Sequence, residues 1–512
     1  MNQAQLTHSP KKIVQATSGV LLWIYLVVKS LLAGLTNGET FDDLQKRLQE
    51  LPPELDSLYG AILRSINPPF CREQVSGLLQ IVYQSREPMS SFALSLADDP
   101  NPSLAINAEI SSYTQAQIDA RIDSLTRRLK SRCKGLIEVH IFKNGNSGPP
   151  TIVDIPTRPG QVRYLHLTVK EFLEKPEVWS ELLSWTFATN FDSNVACLKG
   201  LILRLKSTFA YHRWGRHIIS LIDSAISFAR YAESSSSQSH VSLVDELDKT
   251  ATALYGPTNE HWSIESMMQW EDYRYAETRI PWSRAWHSQE PSFLIHSIVR
   301  GLALYLGANI GSKLLSLDQE SPIPLLDYAT GASGELKYLS TITPFHMKSI
   351  TDSHTLSYND LNVRPLPSMI TMLLHVGLNP NTMRSNTSPW TSFMEIVQSR
   401  IASKGTIPLN WIDTCKLFLI YSADIAAPIS AEKSESCGSV LRFILPTVPT
   451  TAAVELEQLI LERTATQAEA REHSLYNNSA RSKSQRAGQR GSRKRRRTQY
   501  MRPTGGGKRR QN

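Results

Sequence analysis

Between residues 12 and 66 apolar side chains recur every three or four positions, the spacing that places them on one face of a helix, and three helices are predicted there. The second opens at Thr40, with Asp43 three positions on, and carries Phe41, Leu44, Leu48 and Leu51 on one face. The third follows "LPPEL", where Pro53 suits a first helical position. Leu55, Leu58, Tyr59, Ile62 and Ile66 then keep the helical spacing.

From about residue 68 the pattern changes. Helices are predicted near 72–86 and 90–97, then over "AQIDARIDSLTRRLKSRCKG", where Ile118, Ile122, Leu125 and Leu129 form one stripe. Gly135 sits where a helix C′ glycine belongs, and Arg127, Arg128, Lys130 and Arg132 suit the negative end of the helix dipole. Next come "LIEVHIF", the turn "NGNSG", "TIVDI" and "VRYLHL", short strands, the last alternating apolar and polar residues as a half-buried strand does. Three helices, short strands and a closing helix make a winged-helix-like domain.

The closing helix is announced by "YLHLTVKEFLE", residues 164–174. Thr168 with Glu171 three residues later reads as a capping box, and Leu167 with Phe172 as its hydrophobic staple. His166 then stands at a strand end beside a helix N-terminus, where free N–H groups favour an anion such as phosphate. The plainer alternative is a histidine that caps or packs locally.

Residues 186–300 read as mostly helical, with "ESSSSQSH" as a loop and the tryptophans between Trp262 and Trp286 as packing residues. Beyond residue 300 a degenerate repeat is visible. "SPIPLLDYAT" at 321–330 and "TSPWTSFMEI" at 387–396 look like the opening of an ankyrin unit, while "MLLHVGLNPNT" at 372–382 and "LFLIYSADIAA" at 417–427 look like its second helix and loop. Such units bury their apolar faces only by stacking. The fold class expected is therefore mainly α.

Composition changes the picture in three places. The five cysteines form no C-x-x-C pair and no metal-ligand spacing, so neither a disulfide framework nor a metal site is expected. "VLLWIYLVV" at 20–28 falls short of the roughly 18 apolar residues of a membrane span. It reads as a buried helix, with no membrane partner. The net charge of +8 hides a division: residues 481–512 hold 13 Lys and Arg and no acid, leaving 42 basic against 47 acidic side chains in residues 1–480. The folded part is mildly acidic. Only the tail, with Arg493, Lys494, Arg495, Arg496, Arg497, Lys508, Arg509 and Arg510, suits nucleic acid or a nuclear-import receptor.

No G-x-x-x-x-G-K-[ST] phosphate loop, G-x-S-x-G or H-E-x-x-H occurs, and "GGGK" at 505–508 is followed by arginine. No enzyme is expected, and the location expected is cytoplasmic or nuclear.

"ATSGVLLWIYLVVKSLLAGLTNGETFDDLQKRLQELPPELDSLYGAIL" resembles the segment that follows the nucleotide-binding core in fungal NACHT-domain proteins. These are signal-transducing STAND ATPases related to heterokaryon-incompatibility proteins and animal Nod-like receptors. "YLHLTVKEFLE" resembles that family's winged-helix signature, and the likeness runs over residues 12–205, taking in "FDSNVACLKGLILRLKS". "PLLDYA" and "LLHVGLNPN" also resemble pieces found in such proteins.

The resemblance implies a helical segment at 1–66 after a nucleotide core, a winged-helix-like domain at 67–185, and a helical domain at 186–300. The residue pattern adds degenerate ankyrin-like repeats at 301–463, and composition a disordered basic tail at 464–512. The resemblance also implies that His166 contacts the β-phosphate of ADP delivered by another domain. With no P-loop in the chain, ADP or ATP is expected only if a NACHT core is supplied, and no cofactor otherwise.

The function expected is a non-enzymatic regulatory and protein-interaction module, the back half of such a switch. Its partners would be proteins, a NACHT core or a second copy among them. If residues 12–66 pack on such a core, the face around Leu22, Trp23, Leu26 and Leu31 needs a cover. The alternative is a nucleic-acid-binding protein using the winged helix and tail, against which the acidic folded part weighs.

Overall fold

The computed structural model describes residues 22–32, 34–52, 54–67, 69–85, 89–141, 160–207, 215–255, 292–321, 323–332, 365–384, 386–430 and 433–472. It is mainly helical, with two small two-stranded sheets among these residues. The described chain forms two compact units, one up to Gly311 and one from Ser312.

In the first unit, α1 (residues 22–32), α2 (Phe41–Glu50) and α3 (Leu55–Arg64) come first. Thr40 and Asp43 form a reciprocal cap for α2. Pro53 lies outside the described residues, and α3 starts at Leu55. Two faces differ from expectation. On α1 the side of Leu22, Trp23 and Leu26 packs inward on the core, and Trp23 Nε1 donates to the Pro52 carbonyl at 2.8 Å. The opposite side, Ile24, Tyr25, Val28 and Leu32, is the open one. On α2, Phe41 and Leu48 are exposed while Leu44 is half-buried and Leu51 packs against the core, so its predicted face is only partly covered. A helix that is apolar nearly all round gives no sequence signal for which side turns inward.

Next come α4 (Pro69–Gln84), α5 (Ser91–Ala97), α6 (Leu104–Asn107), α7 (Gln115–Arg132), β1 (Ile137–Ile141), β2 (Gly160–Tyr164), α8 (Leu167–Leu173), α9 (Pro176–Ser184) and α10 (Ser193–Ser207). β1 and β2 pair antiparallel with Val139 opposite Val162, and Ser90 adds a single bridge to Gln161. The segments "NGNSG" and "TIVDI" lie outside the described residues. α7 buries Ile118, Ile122, Leu125 and Leu129 and ends in a left-handed turn that Lys134 (φ 51°) enters before Gly135.

Tyr59 and Leu63 of α3, Leu78 of α4, Leu125 of α7, Phe172 of α8 and Cys197 of α10 share one core. The boundaries drawn at residues 66 and 186 therefore fall inside continuous packing. α10 crosses α5 so closely that a Cβ on Gly200 would lie 2.9 Å from the Ala97 backbone. Near its end the buried Lys206 ammonium donates to the Ala108 carbonyl at 2.6 Å and pairs with Glu246 at 2.7 Å. That satisfies a buried charge which would otherwise cost several kcal/mol and joins α10 to α12 (Val241–Tyr255).

α11 (Gly215–Ser236) extends through the serines expected to form a loop. Ser234, Ser235 and Ser236 turn their hydroxyls back to the carbonyls of Arg230 and Ala232, and the helix ends only where Ser237 takes a positive φ. Trp262 to Trp286 lie outside the described residues. α13 (Ser292–Arg300) pairs with α11 through Arg300 and Asp223, and Glu233 accepts the first N–H groups of α14 (Ala303–Asn309).

The second unit contains α15 (Leu314–Glu320), α16 (Leu325–Thr330), α17 (Pro367–His375), α18 (Pro389–Lys404), α19 (Leu409–Ile420), β3 (Pro428–Ser430), β4 (Lys433–Ser436) and α20 (Cys437–Ile444). A last helix, α21, covers 450–472. The loops after α17 and α19 are built alike. Leu378 N–H reaches back to the Leu373 carbonyl and Ala423 N–H to that of Phe418, at 3.2 and 2.9 Å. Gly377 and Ser422 take the positive φ, and Asn379 and Asp424 each accept a backbone N–H two residues on. The elements they lead into differ, since α18 continues from the first loop and the β3–β4 hairpin from the second. The tail expected from residue 464 is still helix to 472, where Arg463 and Gln467 donate to the Ser422 and Ala423 carbonyls.

Candidate functional site

β2 carries the chain to Leu165, whose N–H donates to the Leu136 carbonyl at 3.0 Å, and His166 follows in extended backbone as the N-cap of α8. Its ring Nδ1 accepts the Thr168 backbone N–H at 3.3 Å and lies 3.0 Å from Thr168 Oγ1. That hydroxyl lies 2.8 Å from the hydroxyl of Tyr59. Tyr59 is fully buried on α3, its ring centroid 5.5 Å from that of Phe172. Burial pushes its phenol above the ordinary range, so it stays protonated. Lys175 and Asp56, 2.6 Å apart at the surface, join the chain just after α8 to α3 a second time.

The start of α8 therefore differs from the expected capping box. The helix begins at Leu167, the cap is His166, and Leu167 is 57% exposed rather than stapled. Tyr59, far away in sequence, engages the Thr168 hydroxyl, and spacing within "LTVKE" carries no sign of that.

The phosphate seat expected at this helix N-terminus is also changed. Thr168 N–H goes to the histidine ring and Val169 N–H to the His166 carbonyl at 3.1 Å. What His166 leaves unengaged is Nε2, which meets no partner among the described residues on a half-buried side chain. A ligand at this place would meet the ring, with the Thr168 and Val169 N–H groups of the helix end already taken.

Of the residues singled out in the sequence, His166 lies in the described part; Arg493 to Arg497 and Lys508 to Arg510 lie outside it. Tyr59 and Thr168 were missed as partners of the histidine. Two arginines of α7 are tied down: Arg121 to Asp99 at 3.1 Å and Arg128 to Asp98, whose carboxyl burial pushes up to about 6 against the pull of that guanidinium. The open positions of α7 mix Asp123 with Arg127 and Lys130. Burial pushes the thiols of Cys133, Cys197, Cys415 and Cys437 up to about 12, which keeps them from acting as thiolates near neutral pH.

Residues 65–214 match the family described as Domain of unknown function (DUF7791). The matched stretch holds His166 and Thr168 but stops short of Tyr59. It runs past the boundary drawn at 186 and takes in all of α10, in keeping with the shared core. No curated protein and no solved structure matches the chain. Among the described residues no helix is long and apolar enough to cross a membrane.

Proposed function

We propose that the chain is a non-enzymatic regulatory and protein-interaction module that works with a NACHT-type nucleotide core supplied from elsewhere. The observation that carries this reading is the outer side of α1, where Ile24, Tyr25, Val28 and Leu32 stand 47–57% exposed. Contiguous apolar surface of this kind marks a protein contact. The DUF7791 match supports it, since that domain accompanies NACHT proteins in fungi. Within the same unit His166 is the residue offered to the phosphate of a nucleotide held by the core. One such hydrogen bond is worth about 1.5–3 kcal/mol, so the chain alone binds ADP at millimolar strength at best and does not hydrolyse ATP.

Light scattering on the full chain tests the surface. The wild type associates, and Val28→Lys with Leu32→Lys returns it to a monomer. A wild-type monomer at micromolar concentration contradicts the reading. Calorimetry with ADP tests the nucleotide part. Micromolar binding that His166→Ala abolishes would mean that the site is complete without a core.

A second reading, nucleic-acid binding and nuclear import, draws on the 13 basic residues of 481–512. It requires duplex affinity that falls steeply with salt and vanishes when the tail is deleted. Import requires residues 481–512 to carry a fluorescent protein into the nucleus until Arg495, Arg496 and Arg497 become alanine.

A further inference from the structure

We infer that Tyr59 and Thr168 are positioning residues that hold the His166 ring as its Nε2–H tautomer, so that the ring offers one neutral donor to an anionic oxygen such as that of a phosphoryl group. The direction of each bond follows from which groups can only give. A backbone N–H only donates, and that of Thr168 lies 3.3 Å from His166 Nδ1, so Nδ1 holds a lone pair and the neutral ring carries its proton on Nε2.

The hydroxyl of Tyr59, a fully buried residue, has Thr168 Oγ1 as its one partner among the described residues, at 2.8 Å. A buried phenol has to donate, so Thr168 Oγ1 accepts from it and keeps its own proton for Nδ1 at 3.0 Å. Two donors thus converge on Nδ1. A metal ion finds no lone pair on Nε2, whereas an anionic oxygen finds a donor. The ligand class rests on the proposed role of His166; the tautomer is a property of the free chain.

Nitrogen-15 spectra of the histidine rings in the full chain, with His166 assigned by His166→Gln, test this. The wild type and Thr168→Ser show Nε2 protonated and Nδ1 bare. Thr168→Val, and to a lesser extent Tyr59→Phe, lose that single pattern, and the two ring nitrogens move towards a common averaged shift. A wild-type ring protonated on Nδ1 overturns the inference, and a Thr168→Val spectrum identical to the wild type means that the backbone N–H alone sets the tautomer and overturns the positioning roles of the Thr168 side chain and Tyr59. A Tyr59→Phe spectrum identical to the wild type removes Tyr59 from the relay. Titration on the same resonances with ADP, raised to roughly ten times the millimolar Kd expected of one such hydrogen bond, separates the two claims. An unmoved Nε2 overturns the ligand class and the nucleotide role, while the tautomer pattern alone decides the positioning roles.

Discussion

α7 and α8 open with the same kinds of residue and are capped in different ways. At α7, Thr114 accepts the Gln117 N–H and Gln117 Oε1 accepts the Thr114 N–H at 2.8 Å, a closed local exchange at the surface. At α8, Thr168 stands three residues before Glu171 in the same way, yet its hydroxyl faces buried Tyr59 and the cap passes to His166. A cap exposed to water is decided by its neighbours in sequence. A cap beside a buried hydroxyl is decided by what that hydroxyl needs, because an unpartnered polar group in the core costs more than a local cap returns.

α16 extends the comparison to the second unit. Its Leu325 N–H is taken by Asp318, which also pairs with Arg384 at 2.9 Å. Asp327, in the first turn, is buried with Oδ1 unpartnered. Burial first, and the Asp318 carboxylate second, push its pKa from 3.8 up to about 7. The folded unit therefore holds this proton more tightly than the unfolded chain. The contribution of this group to stability is highest below pH 4, falls as pH rises to about 7 and then levels off. Asp327→Asn should remove that slope and gain about 2–4 kcal/mol above pH 7, measured by denaturant unfolding at pH 5 and pH 8. Equal slopes in both proteins would show that Asp327 has a partner.

The next effect is at Thr168. Valine there leaves the Tyr59 hydroxyl buried with nothing to receive its proton, which should cost about 1–3 kcal/mol of stability, while serine should cost little. Thr114→Ala removes a surface cap alone and should cost about 1 kcal/mol, the usual worth of an N-cap hydroxyl. The smallest effect is the sharpest: Glu171→Ala should change stability by less than about 0.5 kcal/mol, as expected for an exposed residue outside any cap. A loss as large as that of Thr114→Ala would restore the capping box at Thr168.

The same contrast separates what was legible in the sequence. The stripe of α7, the reciprocal cap at Thr40, and the paired loops opening at Gly377 and Ser422 each depend on residues a few positions apart, and spacing exposed them. The inward side of α1 and the true cap of α8 depend on partners far along the chain, while the helical course of Ser234 to Ser236 rests on hydroxyls turned back to carbonyls of the preceding turn, where a serine run reads as a loop. The His166 position was visible as a histidine between strand and helix. Its geometry was not, because Tyr59 on α3 carries half of it.

Hydrogen exchange at the Thr168 amide tests the central claim, that His166 caps α8 with its own ring. The account predicts a protected amide in the wild type, loss of protection in His166→Ala, recovery in His166→Asn, whose side chain also accepts at an N-cap, and no change in Glu171→Ala. Protection that survives His166→Ala and is lost in Glu171→Ala would contradict it.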